Sequence, residues 1–267
     1  QAKSSFEKIN ESDIEQIYKF FGIPNDNSSD SLEKRDQIIL KLRKPDKKMA
    51  ARFLRIQANW QYSLYTSKTS SAQSLLDICK VFEESMALVG NDYRTFAGWA
   101  YANSRALSHF VDKRSKIALD AMFGFLRATQ LRPSESLEFL CQFFSIYFRF
   151  GEDFTLPDDL RSQITQLPAA ILHQIIPQIV VHIAHKDPKI SNVVQSIISE
   201  FGSSHFQAVV FPLNVLSLLV DEESEERNEN EPNKHSKSSH HKKRSMNKAK
   251  IALDMMNKLG SLHPKVY

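Results

Sequence analysis

Residues 171–216 read ILHQIIPQIVVHIAHKDPKISNVVQSIISEFGSSHFQAVVFPLNVL. A first apolar run, around Ile175, Ile176, Ile179 and Val180, is interrupted by Pro177. An amphipathic stretch follows, with Ile190, Val194, Ile197, Ile198 and Phe201 at helical spacing. A second apolar run, Phe206 to Leu216, is interrupted by Pro212. The periodicity is that of helices packed on helices. A mid-helix proline removes one backbone hydrogen bond and crowds the preceding turn. The apolar residues on both sides of each proline predict that the helix continues through a kink, or that two short helices meet there.

The same periodicity extends upstream. Ser12-Asp13-Ile14-Glu15 is a capping box ahead of Ile14, Ile17, Tyr18 and Phe21. Asp30 or Ser31 caps a second short helix, stopped by Pro45. Met49, Phe53, Leu54, Ile56, Trp60 and Leu64 mark a helix from Lys47 to about Thr66. Further helices are expected over about 70–89, then from the Asn91-Asp92 cap to Phe110, over about 116–131, and from Ser134 to Phe150 with Gly151 as its C-terminal glycine. A short one follows over 157–165. The helix ending at Phe150 is apolar on more than one face and is predicted to lie between neighbours.

Downstream of Leu219 the composition changes. DEESEERNENEPNKHSKSSHHKKRSMNK is acidic and then basic, without apolar periodicity, and predicts a disordered loop over 221–245. Met246 to Leu259 restores a helical pattern through Ile251, Ala252, Met255, Met256 and Leu259. The result is an all-α chain of helix pairs, each pair spanning roughly 35–45 residues, the period of tetratricopeptide and HEAT solenoids. A compact helical bundle is the other all-α arrangement compatible with these lengths.

Composition narrows the function classes. Seven Gly in 267 residues disfavour folds built on glycine-rich turns and phosphate loops. Neither GxxxxGK[ST], GxGxxG, a kinase catalytic set, HExxH nor CxxC occurs. Cys79 and Cys141 fall inside apolar helical patterns and are expected to be buried free thiols. A net charge of +4 is too small to imply nucleic-acid binding. The apolar runs fall short of a membrane span, and no signal peptide is visible. His173, His182, His185 and His205 lack a third ligand and are expected to be structural or surface side chains. Glu83-Glu84 and Asp158-Asp159 are expected on solvated faces. Lys113, Arg114 and Lys116 open a helix and are the candidate anion contacts; the competing reading is a solvated turn. The chain opens on Gln1, not Met, and is expected to be a piece of a longer protein.

Several segments, in order, resemble the FAT region of phosphatidylinositol-3-kinase-related kinases, most closely the TOR (target of rapamycin) type. FLRIQANWQYSLY is similar to a Y-x-K-L-G-E-W-Q segment through Trp60-Gln61. FAGWAYANSRALSHF resembles the family's W-x-x-W-A-x-x-N helix, with Phe96 at the first aromatic position. AMFGFLRATQL and SLEFLCQFFSIYFRFG resemble its GFFRSI-x-L segment and the helix after it. ILHQIIPQIVVHI is similar to W-L-x-V-I-P-Q-L-I-A-R-I, with Ile171 in place of Trp. SSHFQAVVFPLNVLS is similar to Y-H-P-Q-A-L-I-Y-P-L-x-V-A-S, with Phe206 in place of Pro.

This resemblance implies an all-α, right-handed helical-repeat solenoid with tetratricopeptide-like helices over 1–45, the FAT repeats over 46–220, an inserted loop over 221–245 and a last FAT helix over 246–267. It implies a scaffold without chemistry of its own that packs on and regulates a serine/threonine kinase domain of the same polypeptide, and that meets the protein subunits of a TOR-like complex. ATP and Mg would belong to that kinase domain, and none is expected in this chain. The family also binds inositol hexakisphosphate through basic residues; Lys113, Arg114 and Lys116 are assigned to that role from charge alone. No direct nucleic-acid contact is implied, and the expected location is cytoplasmic, with nuclear or peripheral endomembrane pools. A FAT region of a catalytically inactive transcription cofactor and a free-standing helical-repeat adaptor remain alternatives.

Overall fold

The computed structural model describes residues 47–65, 71–225 and 237–263, with side chains over 47–65, 71–218 and 246–263. The helices and caps expected before Lys47 lie outside the described residues. The chain divides into two compact units, Gln1–Arg52 and Phe53–Tyr267. Of the first, only residues 47–52 are described; the stack of helices from Phe53 onward belongs to the second.

Among the described residues there are ten α-helices, two 3-10 turns and no strand. The helices are α1 (Lys47–Leu64), α2 (Ala72–Leu88), α3 (Tyr93–Ala106), α4 (Arg114–Leu131), α5 (Ser136–Phe150), α6 (Asp158–Thr165), α7 (Ala169–Val180), α8 (Pro188–Ser204), α9 (Phe206–Glu225) and α10 (Lys237–Leu262). Successive helices from α2 to α5 pack on one another, as do those from α7 to α10. Contacts that skip one helix join α4, α6, α8 and α10 in one layer, and α5, α7 and α9 in the other. Two layers of alternating helices are the expected all-α stack of helix pairs. Helix α1 joins the odd layer, because Arg55 pairs with Asp92 and the Arg105 guanidinium lies over Tyr62 of α1 and over Tyr65, the residue after it. Those contacts run in the same order along both helices, so α1 and α3 are parallel.

Local chemistry sets the helix starts. Asp92 accepts from the Arg94 amide at 3.1 Å and from Thr95 Oγ1 at 3.0 Å, capping α3 where Asn91-Asp92 predicts a cap. Its carboxylate also sits 2.9 Å from Arg55 Nε, an ion pair by distance whose N–H does not point at the oxygen. Asp187 caps α8 by accepting from the Lys189 amide at 2.7 Å, with Pro188 in the first turn, where its missing N–H costs nothing.

Both proline-bearing helices run through: α7 contains Pro177 and α9 contains Pro212. Pro177 and His173, whose carbonyl loses its partner, are on the exposed side of α7, where water can take the vacated bond. The core behind is continuous, with Ile175, Ile176 and Ile179 at 0% exposure.

Three expectations need correction. The segment read as a loop over 221–245 is helical at both ends, since α9 reaches Glu225 and α10 begins at Lys237. Glu, Lys and Arg are good helix formers, and lack of apolar periodicity signals only that a segment has no face to bury. Residues 226–236 lie outside the described residues. Gly151 is not a left-handed cap: it has φ −64° and opens a 3-10 turn. It is needed for space, because a Cβ there would meet the Tyr147 ring at 3.0 Å and Ile190 at 3.1 Å. Cys141 is exposed, although Cys79 is buried. It follows Phe139 and Leu140 but falls outside the stripe that Phe143, Phe144 and Tyr147 continue.

The layers meet most closely at glycines. A Cβ on Gly124 of α4 would lie 2.9 Å from Ala100 Cβ and 3.0 Å from the Phe96 carbonyl oxygen of α3. On Gly202 of α8 it would lie 2.7 Å from Leu259 of α10 and 2.9 Å from Val209 of α9. Beside Gly124, Phe125 is fully buried, edge-on to Tyr101 and stacked on Phe139.

Two substitutions separate these effects. Phe125→Ala should lose about 3–5 kcal/mol by leaving a cavity. Gly124→Ala should lose about 1–3 kcal/mol by overpacking against a backbone atom that cannot rotate away. Urea unfolding midpoints of purified variants measure both. An unshifted midpoint for Gly124→Ala would mean that α3 and α4 are not in close contact.

Candidate functional site

The three basic residues that open α4 do not act as one cluster. Arg114 Nη1 lies 3.3 Å from Asp153 Oδ2, and its guanidinium covers the Phe150 ring. Ser115 Oγ donates to the Asp153 carbonyl at 3.1 Å. These bonds fasten the start of α4 to the 3-10 turn after α5. Lys113 and Lys116 are exposed. Lys113 is the N-cap residue and makes no side-chain cap bond. Arg114 thus has a structural partner, and two exposed lysines remain beside the N-terminus of α4.

A second tie of this kind lies one turn further along. Lys186, between α7 and α8, pairs with Glu152 at 2.7 Å. His182 stacks on Phe148 of α5 with ring centroids 3.6 Å apart. His185 Nδ1 accepts from the Asp187 amide at 3.1 Å. His205 stacks on Phe201 at 4.8 Å. The four histidines are spread over α7, the α7–α8 connection and the α8–α9 junction, and no cluster of three or more metal-ligating side chains occurs among the described residues. Inside that connection, Ser191 Oγ and Gln195 Nε2 both donate to the Ile183 carbonyl, at 2.6 and 3.0 Å.

One constellation was not legible in the sequence. Glu83 is exposed, as expected, and its carboxylate also accepts from Trp99 Nε1 at 3.2 Å. Asp120 of α4 is half-buried, and burial, reinforced by the Glu83 charge, raises its carboxyl above the usual carboxylate range. Lys116, one turn earlier on α4, pulls the other way. Burial, with Glu83 and Asp120 nearby, pushes the Cys79 thiol up to about 12. The members come from α2, α3 and α4, so no local spacing announces them. Across the next joint, the Tyr101 hydroxyl donates to Glu138 of α5. Burial and that carboxylate raise the Tyr101 phenol.

The Asp120 shift has a definite sign. A carboxyl with a higher pKa folded than unfolded binds its proton more tightly in the folded state. Stability therefore falls as pH rises from the ordinary carboxylate pKa through the raised one, and the penalty is fully present above it. Asp120→Asn should stabilise the chain at neutral pH and flatten this dependence. Urea midpoints from mildly acidic to neutral pH report it, and parallel curves for the two proteins would contradict the assignment.

No family model matches the sequence. The chain is 22% identical over 180 residues to serine/threonine-protein kinase tor1 of Schizosaccharomyces pombe, covering 64% of the chain and 8% of that protein. It is 24% identical over 202 residues to serine/threonine-protein kinase mTor of Drosophila melanogaster, covering 66% and 8%. It is 21% identical over 164 residues to serine/threonine-protein kinase TOR of Arabidopsis thaliana, covering 58% and 6%. The chain thus corresponds to less than a tenth of the length of each relative. The chain, itself all-helical among its described residues, is similar in sequence to a short segment of these TOR-type serine/threonine kinases.

Proposed function

We propose that this chain is a FAT-type regulatory scaffold of a TOR-like serine/threonine kinase. It packs on the kinase domain and carries no catalytic group of its own. The observation that carries this reading is its similarity to three TOR kinases. The character of α9, which holds the second proline motif, supports it. From Phe206 to Val220 this helix has no charged residue. It leaves Phe211 (72%), Val215 (37%) and Leu218 (56%) exposed along one side. An uncharged apolar face of this kind suits a permanent intramolecular contact better than open solvent.

On this reading, ATP and Mg belong to the kinase domain. The remaining partners are the protein subunits of a TOR-like complex. Lys113 and Lys116, with Arg114 holding their turn in place, offer an anion such as inositol hexakisphosphate a contact. The proposed location is cytoplasmic, with nuclear or endomembrane-associated pools. No helix among the described residues is long and apolar enough to cross a membrane.

Two measurements test the proposal. The purified chain should show no saturable ATP turnover, and clean turnover would overturn the scaffold reading. In the intact parent protein, Phe211→Glu should alter kinase activity several-fold while leaving the helical circular dichroism of the isolated chain unchanged. Unaltered activity would remove α9 as the contact face.

A further inference from the structure

The connection between α4 and α5 places an exposed serine beside two arginines. Leu131 ends α4, Arg132 leaves the helical region at φ −136° and ψ 78°, and Pro133–Glu135 form one 3-10 turn before Ser136 opens α5. No side chain of that turn is buried, and Ser134 is exposed. Arg132 Nε donates to Ser134 Oγ at 2.9 Å. The same nitrogen lies 3.4 Å from Glu135 Oε1, an exposed ion pair of the kind that contributes little.

A second guanidinium comes close through Tyr93. The Arg132 guanidinium lies 5.3 Å from the centre of the Tyr93 ring, and that of Arg94 lies 5.5 Å from it. Arg94 Nε also donates to the Tyr93 hydroxyl at 3.3 Å. That bond raises the Arg94 guanidinium above its ordinary value, and the Asp92 and Glu135 charges add to the effect, so Arg94 is within electrostatic reach of the turn. Both arginines are exposed. Asp92 is engaged by Arg55 at 2.9 Å, so among the described residues Arg94 and Arg132 share the single Glu135 carboxylate.

Two guanidiniums with one carboxylate, next to a hydroxyl that already receives a guanidinium N–H, form an acceptor for a dianion attached to that hydroxyl. We infer that Ser134 is a phosphorylation site and that Arg132 and Arg94 hold its phosphate. Glu135 follows the serine directly and Glu138 lies four residues on, which suits an acid-directed serine kinase. In the active site of that kinase the γ-phosphoryl group of ATP passes to Ser134 Oγ. The bond to ADP breaks, the Oγ–P bond forms, and a base of the kinase takes the hydroxyl proton.

The local structure favours this hydroxyl and this anion. Tyr93, the other hydroxyl present, is half-buried in the first turn of α3, and a kinase would have to unwind that helix start to reach it. A phosphate on Ser134 is delivered to the guanidiniums by the chain itself, whereas a free anion would meet Glu135 on Arg132 without that advantage. The phosphate also stands just ahead of α5, where a helix favours negative charge. Once held, it joins the α4–α5 connection to the first turn of α3. This site does not depend on the kinase reading.

Phosphoserine placed at position 134 of the full chain by nonsense suppression tests the clamp. By phosphorus NMR, its second pKa should lie roughly one pH unit below that of a phosphorylated peptide of residues 128–140. Arg94→Gln and Arg132→Gln should each move it back toward the peptide value. The urea midpoint should rise on phosphorylation of the otherwise unchanged chain but not of the Arg94→Gln chain, a difference that destabilisation by the substitution alone does not produce. The folded, unmodified chain, incubated with ATP and an acid-directed serine kinase, should gain a phosphate at Ser134 by mass spectrometry, and Ser134→Ala should lack it. Three results would overturn the inference: a phosphate that titrates as in the peptide, a lowered pKa that neither arginine substitution moves, or no transfer to Ser134. Saturable binding of the phosphorylated peptide to a chain whose Ser134 the kinase leaves unmodified would assign the arginines to a partner's phosphate, and would also overturn it.

Discussion

The stack depends on how closely α3 and α4 approach at Gly124. With a main-chain carbonyl and an alanine methyl both within 3.0 Å of the position a Cβ would take, a methyl group there forces the helices apart. Because Phe125 is the next residue on α4, a shift at this crossing passes to it and on to the rings it touches, Tyr101 and Phe139. Gly202 makes a second close approach further along, where α8 meets α9 and α10, but there a Cβ would press on the side-chain methyls of Val209 and Leu259 and not on backbone. Close-packed interiors respond to such changes by repacking and not by gradual deformation. Aromatic side chains fill the wider spaces, and glycines set the narrow ones.

Polar contacts organise the edges instead of the interior. Asp92, Asp153, Glu152 and Ser191 each tie a helix end or a connection to a neighbouring element. Most of these groups are partly exposed, where an ion pair contributes little energy. Their effect is to fix register: each tells a connection where to turn, while the apolar contacts hold the layers together. The histidines follow the same logic, using flat rings to cover Phe148 and Phe201 at helix ends.

Much of the fold was legible in the sequence. The apolar period located the helices from Lys47 onward, and Asn91-Asp92 located a cap. The two proline-bearing runs were each recognisable as helical, but whether the chain broke at Pro177 or Pro212 was not. That outcome depends on whether the vacated carbonyl faces water, a property of packing. The charged stretch after Leu219 misled because polarity reports burial, whereas helix formation also depends on intrinsic propensity. In α1 the period was right and the face was wrong: Trp60 and Leu64 look like core residues but are exposed, and Ala58, with Tyr65 just past the helix, occupies the inner side. The coupling of Glu83, Trp99, Cys79 and Asp120 was invisible because it joins three helices. The basic triplet was visible as charge, but not the Asp153 carboxylate that engages its middle member.

The contrast between the two cysteines has a practical consequence. Burial, reinforced by the nearby Glu83 and Asp120 charges, holds the Cys79 thiol far above the ordinary thiol range, so it stays protonated at neutral pH. Cys141 faces solvent. An alkylating reagent would therefore mark Cys141 at once and reach Cys79 only when α2, α3 and α4 come apart. The second label would be a built-in clock for opening of the stack at its most electrostatically loaded joint.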